Sequence, residues 1–171
     1  MIFYTIVLLL RGRFKMSDLT VLLTFLGAYL LVILGIVALC YILSSLAHMK
    51  ALRALGYDKA WMAWIPFAQQ YALADAAADN QETVTLFGTF SVPAMLYKFW
   101  WVLLFICPFI PFIGTFASTV VTIIFLGNCY VKIYARLDGT SEQEQQVIGY
   151  LSGFLVIIAV IKFLAGKYNP R

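Results

Sequence analysis

Charge is what this chain of 171 residues has least of. Asp, Glu, Lys and Arg make up 12% of it against 63% hydrophobic residues, with a mean hydropathy of +0.91, far from the composition of a soluble domain. Histidine occurs once, as His48, so a paired-histidine zinc motif is excluded. The long apolar stretches contain no acid that could serve as a general base. Gly149 to Gly153 reads GYLSG, which lacks the GxSxG spacing of a strained nucleophile turn. The three cysteines, Cys40, Cys107 and Cys129, are odd in number and lie in or beside apolar runs, so buried free thiols are expected rather than a secreted disulfide framework. The net charge of +4 comes from groups flanking the apolar segments, as topology-setting and headgroup-facing residues do, and nucleic acid is not expected as a partner. No residue set calls for a metal or cofactor.

What is present in excess is apolar length. Phe99 to Val131 runs for 33 residues without a formal charge, whereas one bilayer crossing takes about 20. It is therefore a tight helical hairpin or one long kinked helix. Pro108 and Pro111 favour the hairpin, because each removes an N–H and clashes with the carbonyl four residues back. The first arm, Pro93 to Cys107, is short, at about 22 Å. Lys98 lies inside it, where its stem can snorkel beside Trp100 and Trp101, or, alternatively, meet a substrate or ion. The second arm, Phe112 to Val131, carries Gly114, Ser118 and Thr122 on one face. Small residues allow close helix packing there, and the alternative is a polar pore lining that also includes Thr115, Thr119 and Asn128.

At the start, Met1 to Leu10 is apolar and its basic residues follow rather than precede it, the reverse of a signal peptide. Residues 1–15 read as an extension that is not native, with Met16 as the natural start and Ser17 or Asp18 as a helix cap. Leu19 to Met49 is the first expected span, ending beside an interfacial His48, with Gly56 as a stop signal. Lys59 to Asp79 is too short to span and is broken by Pro66, which suits the first turn of a helix. Phe67, Tyr71, Ala74 and Ala78 would share one stripe of that helix. Trp61, Trp64 and Tyr71 suit the membrane interface, so the segment is expected to lie there or to dip in as a re-entrant turn. Asp75, Asp79 and Glu82 read as solvated. Ser141 and Glu144 fit a capping box, opening the way to a last span from Val147 to Ala165 with a GxxxG spacing at Gly149 and Gly153.

The segment WMAWIPFAQQY resembles a group of small, uncharacterised bacterial multi-pass membrane proteins with a Gly-Trp, Ile-Pro, Asn and Tyr pattern. Trp61, Ile65, Pro66 and Tyr71 match, while Ala60 and Gln69 replace the group's Gly and Asn. The likeness continues through Trp100 and Trp101, CPFIPFIG and YARLDG. It implies a cell-membrane location and no established activity.

The expected fold is an all-α membrane bundle of about four spanning helices plus the interfacial Trp-rich helix, with residues 16–166 as one membrane domain and residues 167–171 as a polar tail. With the hairpin, Lys162, Lys167 and Arg171 are expected on the side opposite Lys50, Arg53, Lys59, Lys98, Lys132 and Arg136, with both termini outside, whereas one kinked span would leave the carboxyl end inside. Gly149 and Gly153 are expected to mediate association with a second copy or another membrane protein. The expected function is a non-enzymatic accessory or interaction component of a bacterial membrane; the alternative is an oligomeric channel or small-solute transporter.

Overall fold

The computed structural model describes residues 16–111 and 113–168. The apolar run of residues 1–15, the side chains of Ser17 and Asp18, Phe112 at the start of the second arm and residues 169–171 lie outside them. The described chain is mostly helical. It comprises α1 (Met16–Ala54), α2 (Pro66–Ala78), the hairpin β1 (Thr83–Leu86) and β2 (Phe90–Pro93), α3 (Ala94–Lys98), α4 (Leu103–Ile106), α5 (Gly114–Asp138), α6 (Glu142–Phe154) and α7 (Val156–Ala165), with 3-10 turns at Ala60–Trp64, Trp100–Val102 and Cys107–Phe109. Two helices, α1 over Leu19–Ala54 and α5, are long and apolar enough to cross a membrane.

The chain divides into two compact units, Met1–Tyr41 and Ile42–Arg171. In the first, the described residues belong to α1, and large apolar side chains such as Phe25, Tyr29, Leu31 and Leu34 are exposed. Cys40 is exposed too, unlike the buried Cys107 and Cys129.

The second unit is built around α5. α1 ends in a Schellman turn, with Gly56 at φ 74°, Tyr57 N–H donating to Leu52 O and Gly56 N–H to Arg53 O. Pro66 occupies the first turn of α2, where its missing N–H costs nothing. The stripe of Phe67, Tyr71, Ala74 and Ala78 does not share one environment, because α2 is a core helix: Gln69, Ala72, Leu73, Ala76 and Ala77 are buried, as are Ala74 and Ala78, while Phe67 is exposed. Alanine lets neighbouring backbones come close on several sides at once.

The expected helical hairpin is realised as a helix only in its second arm. The chain reverses between Cys107 and Gly114, since Trp100 stacks on Phe125 with centroids 6.0 Å apart and Tyr97 donates to Asn128 Oδ1 at 2.9 Å. The first arm is a succession of short turns rather than one helix from Pro93 to Cys107. Bulky Phe99, Trp100 and Trp101 in succession face different sides of this arm, Trp100 inward and Phe99 outward. Pro108 then sits in the last 3-10 turn and Pro111 in the reversal.

The last expected span is also interrupted. Leu155, at φ −120° and ψ 88°, separates α6 from α7. α6 runs back along α5, because Glu142 meets Lys132, and glycines 149 and 153 abut Val131 and Gly127. α7 then returns, bringing Lys162 to within 2.7 Å of Asp138. A straight 19-residue helix would have carried Lys162 far from Asp138. Lys162 therefore lies at the same end as Arg136 and Asp138, against the expected placement on the opposite side.

Candidate functional site

That end of the second unit gathers the polar groups of α1, α2, α3 and α5. The Schellman turn leaves Tyr57 beside α2, and Asp79 and Asn80 follow α2 at φ 49° and 59°, a left-handed pair that short polar side chains tolerate. Between these turns lies a cavity of about 260 Å³ lined by Leu55, Gly56, Tyr57, Asp75, Ala76, Asp79, Asn80 and Arg136. A second hollow, of about 280 Å³, shares Tyr57, Asp75 and Asn80 and adds Asp58 and Lys59.

The charges of the cavity are matched rather than loose. Asp75 accepts from Lys98 at 2.6 Å through one oxygen and from the Tyr57 hydroxyl at 2.8 Å through the other. Burial, together with the hydrogen bond to Asp75 and its charge, raises the Tyr57 phenol above its ordinary value of 10.0, keeping it a donor. Arg136 donates to Ala76 O at 2.6 Å and pairs with Asp79 at 3.0 Å. It thereby satisfies a carbonyl in the last turn of α2 and places its charge at the negative end of that helix. Asp75 and Asp79, read from sequence as solvated, are both ion-paired. Lys98 is held by Asp75 rather than directed to a headgroup beside the tryptophans.

Below this rim, buried polar residues join the elements. Asn128 accepts from Tyr97 and donates to Thr85 O at 3.3 Å, tying α5 to α3 and to the β-hairpin. His48, expected at the interface, is buried. Its Nδ1 lies 2.7 Å from Ser44 O and its Nε2 2.8 Å from the Tyr130 hydroxyl. A carbonyl only accepts, so Nδ1 carries the proton and Nε2 accepts from Tyr130. Tyr134 donates to Ser152 Oγ at 2.9 Å, which in turn donates to Ile148 O. Among the described residues no group of three His, Cys, Asp or Glu side chains could hold a metal ion.

The residues singled out from sequence scatter over several roles. Gly149 and Gly153 are packed inside the chain, not open to a second copy: a Cβ on Gly149 would stand 2.7 Å from Val131 N, and one on Gly153 2.7 Å from Gly127 Cα. Gly114 is closed by the backbone of Cys107 and Pro108. Ser118 and Thr122 donate to Gly114 O and Ser118 O in their own helix, as Thr119 does to Thr115 O, so these hydroxyls are satisfied within α5. Trp61 and Trp64 are exposed, while Tyr71 and Trp101 are half-buried. Trp100 is buried in the core, which removes it as a headgroup anchor. The Tyr57–Asp75–Lys98 and Arg136–Asp79 contacts were not foreseen; the only trace in the sequence is the four-residue spacing of two acids on an alanine-rich helix. Compared with family models, with curated proteins and with solved structures, the chain matches none.

Proposed function

We propose that this is a multi-pass integral membrane protein of the bacterial cell membrane, a non-enzymatic accessory or interaction component that presents the Tyr57–Asp75–Arg136 end to its partner. The observation that carries the reading is the division of its surface. Large apolar side chains stand outward from α4 to the first turn of α5 (Phe105, Ile106, Phe109, Ile113, Phe116) and along α6 and α7 (Val147, Leu151, Phe154, Ile157, Ile161), side chains that a soluble surface exposes only singly or in small patches. The ion pairs are confined to one end. In lipid the outward residues meet hydrocarbon, and charges are affordable only where water reaches.

A non-catalytic role is supported by how that end is organised. Asp75 and Asp79, the carboxylates of the cavity beside Arg136, are each committed to a cation, whereas a general base needs a carboxylate or imidazole poised for a proton. The rival reading, an oligomeric pore, loses its proposed lining: Lys98, Asn128 and the α5 hydroxyls each have partners within the chain and do not converge. Purification in mild detergent with identification of co-purifying proteins, followed by liposome reconstitution, separates the two. A stoichiometric membrane partner with silent liposomes is expected. Selective flux from the purified chain alone would overturn the proposal.

A further inference from the structure

On the second unit, α1 and α7 enclose a groove of about 340 Å³ unlike the cavity above. Its walls are Leu46, Met49, Ala54, Leu164 and Tyr168, and its charged groups are Lys50 and Arg53. Leu46, Met49, Lys50 and Arg53 follow one another at helical spacing on one face of α1. No acid lines the groove. Lys50 donates to Leu164 O at 2.8 Å and Gly166 O at 2.7 Å, which fixes its ammonium at the groove and leaves its third proton uncommitted. Arg53 is exposed and its guanidinium, unlike the charged groups of Lys98, Lys132, Arg136 and Lys162, has no ion-pair or hydrogen-bond partner among the described residues.

We infer that this groove binds one anionic phospholipid, with its phosphate on Arg53 and Lys50 and an acyl chain against Leu46, Met49 and Leu164. Charge complementarity selects the occupant: two cations without a carboxylate call for an anion, and a guanidinium offers paired donors to phosphate oxygens. The apolar walls call for a chain on that anion, which free phosphate or a soluble phosphorylated metabolite lacks. The inference rests on the membrane reading above and adds the class of lipid and the residues that hold it.

The test is native mass spectrometry of the full chain in mild detergent, titrated with dioleoyl phosphatidylglycerol or dioleoyl phosphatidylcholine. One phosphatidylglycerol is expected to be retained in preference to phosphatidylcholine. Arg53→Gln should reduce that retention about fivefold, the equivalent of one basic residue at an anionic surface. Arg53→Lys should keep most of it, and Lys59→Gln, which removes an exposed cation away from the groove, should leave it unchanged. Equal retention of the two lipids, equal effects of Arg53→Gln and Lys59→Gln, or displacement of the lipid by equimolar glycerol 3-phosphate would overturn the inference. Carbonate extraction of native membranes reads the membrane assignment separately. A carbonate-resistant chain that does not discriminate between the lipids sinks the groove alone, whereas a carbonate-soluble chain that retains neither sinks both.

Discussion

At Asn128 a single amide joins three elements. Tyr97 donates to its carbonyl oxygen, and its own amide group donates to Thr85 O. Asn128→Ala should leave the buried Tyr97 hydroxyl without an acceptor and cost about 1–3 kcal/mol. The check is the unfolding midpoint in detergent, which should fall, whereas Thr119→Ala, at an exposed hydroxyl bonded only within α5, should leave it nearly unchanged. Tyr57 makes a different prediction, for alkaline pH. Because its phenol is raised above 10.0, its contribution to stability is complete below that pH and is lost as pH climbs beyond it. Between about pH 9 and pH 11 the native protein should therefore lose more stability than Tyr57→Phe, which has no phenol to ionise. Parallel curves for the two proteins would remove Tyr57 from the alkaline transition.

Among the elements, what the sequence made legible were features written in a few adjacent residues. Gly56 stops α1, Pro66 opens α2, Gly139 caps α5 at φ 67°, and Ser141 accepts from Glu144 N–H. The capping box itself is altered, since the Ser141 hydroxyl donates to the Glu144 carboxylate instead of that carboxylate reaching back to a backbone donor. Not legible were elements decided by packing at a distance. Leu155 carries no breaker signal, yet the helix ends there so that Phe163 can lie against Tyr130 and Tyr134. The glycine pair was visible, but its partner was not, because a GxxxG spacing does not say whether the approaching backbone belongs to the same chain. Gly153→Ala should accordingly push α6 off α5 and cost about 1–3 kcal/mol, the range for overpacking, without changing the oligomeric state. Thermal unfolding and crosslinking in the same detergent read the two effects apart. The return of α7 makes a further prediction. α6 and α7 are only about 20 and 15 Å long, too short for either to cross a bilayer alone. In a chain with its native cysteines replaced by serine, single cysteines at Thr140 and Lys167 should be labelled from the same side of the membrane. Labelling from opposite sides would restore a single crossing from Val147 to Ala165.

For the second unit as a whole, the consequence of that return is an accounting of charge. Lys98, Lys132, Arg136 and Lys162 are each paired with a carboxylate. Lys50, Arg53, Lys59 and Lys167 remain without a salt-bridge partner among the described residues. All four belong to the polar end: Lys59 lines the hollow beside Tyr57 and Asp75, Lys50 and Arg53 line the groove against α7, and Lys167 follows Gly166, whose carbonyl Lys50 holds. The side that carries the excess of Lys and Arg is the one retained in the cytoplasm. The polar end should therefore face the cytoplasm, and the carboxyl end with it, contrary to the outside location that follows when Lys162 and Lys167 are placed across the membrane from Arg136. In intact cells, cysteines at Lys59 and Lys167 should resist a membrane-impermeant maleimide and react once the membrane is opened. Replacing Arg53, Lys59 and Lys167 together by Gln should weaken this bias and produce a mixed population, while replacing the four paired cations in the same way should destabilise the fold before it alters the orientation. Ready labelling of both cysteines in intact cells would show that the polar end faces outward and that its basic residues, paired or free, do not set the orientation.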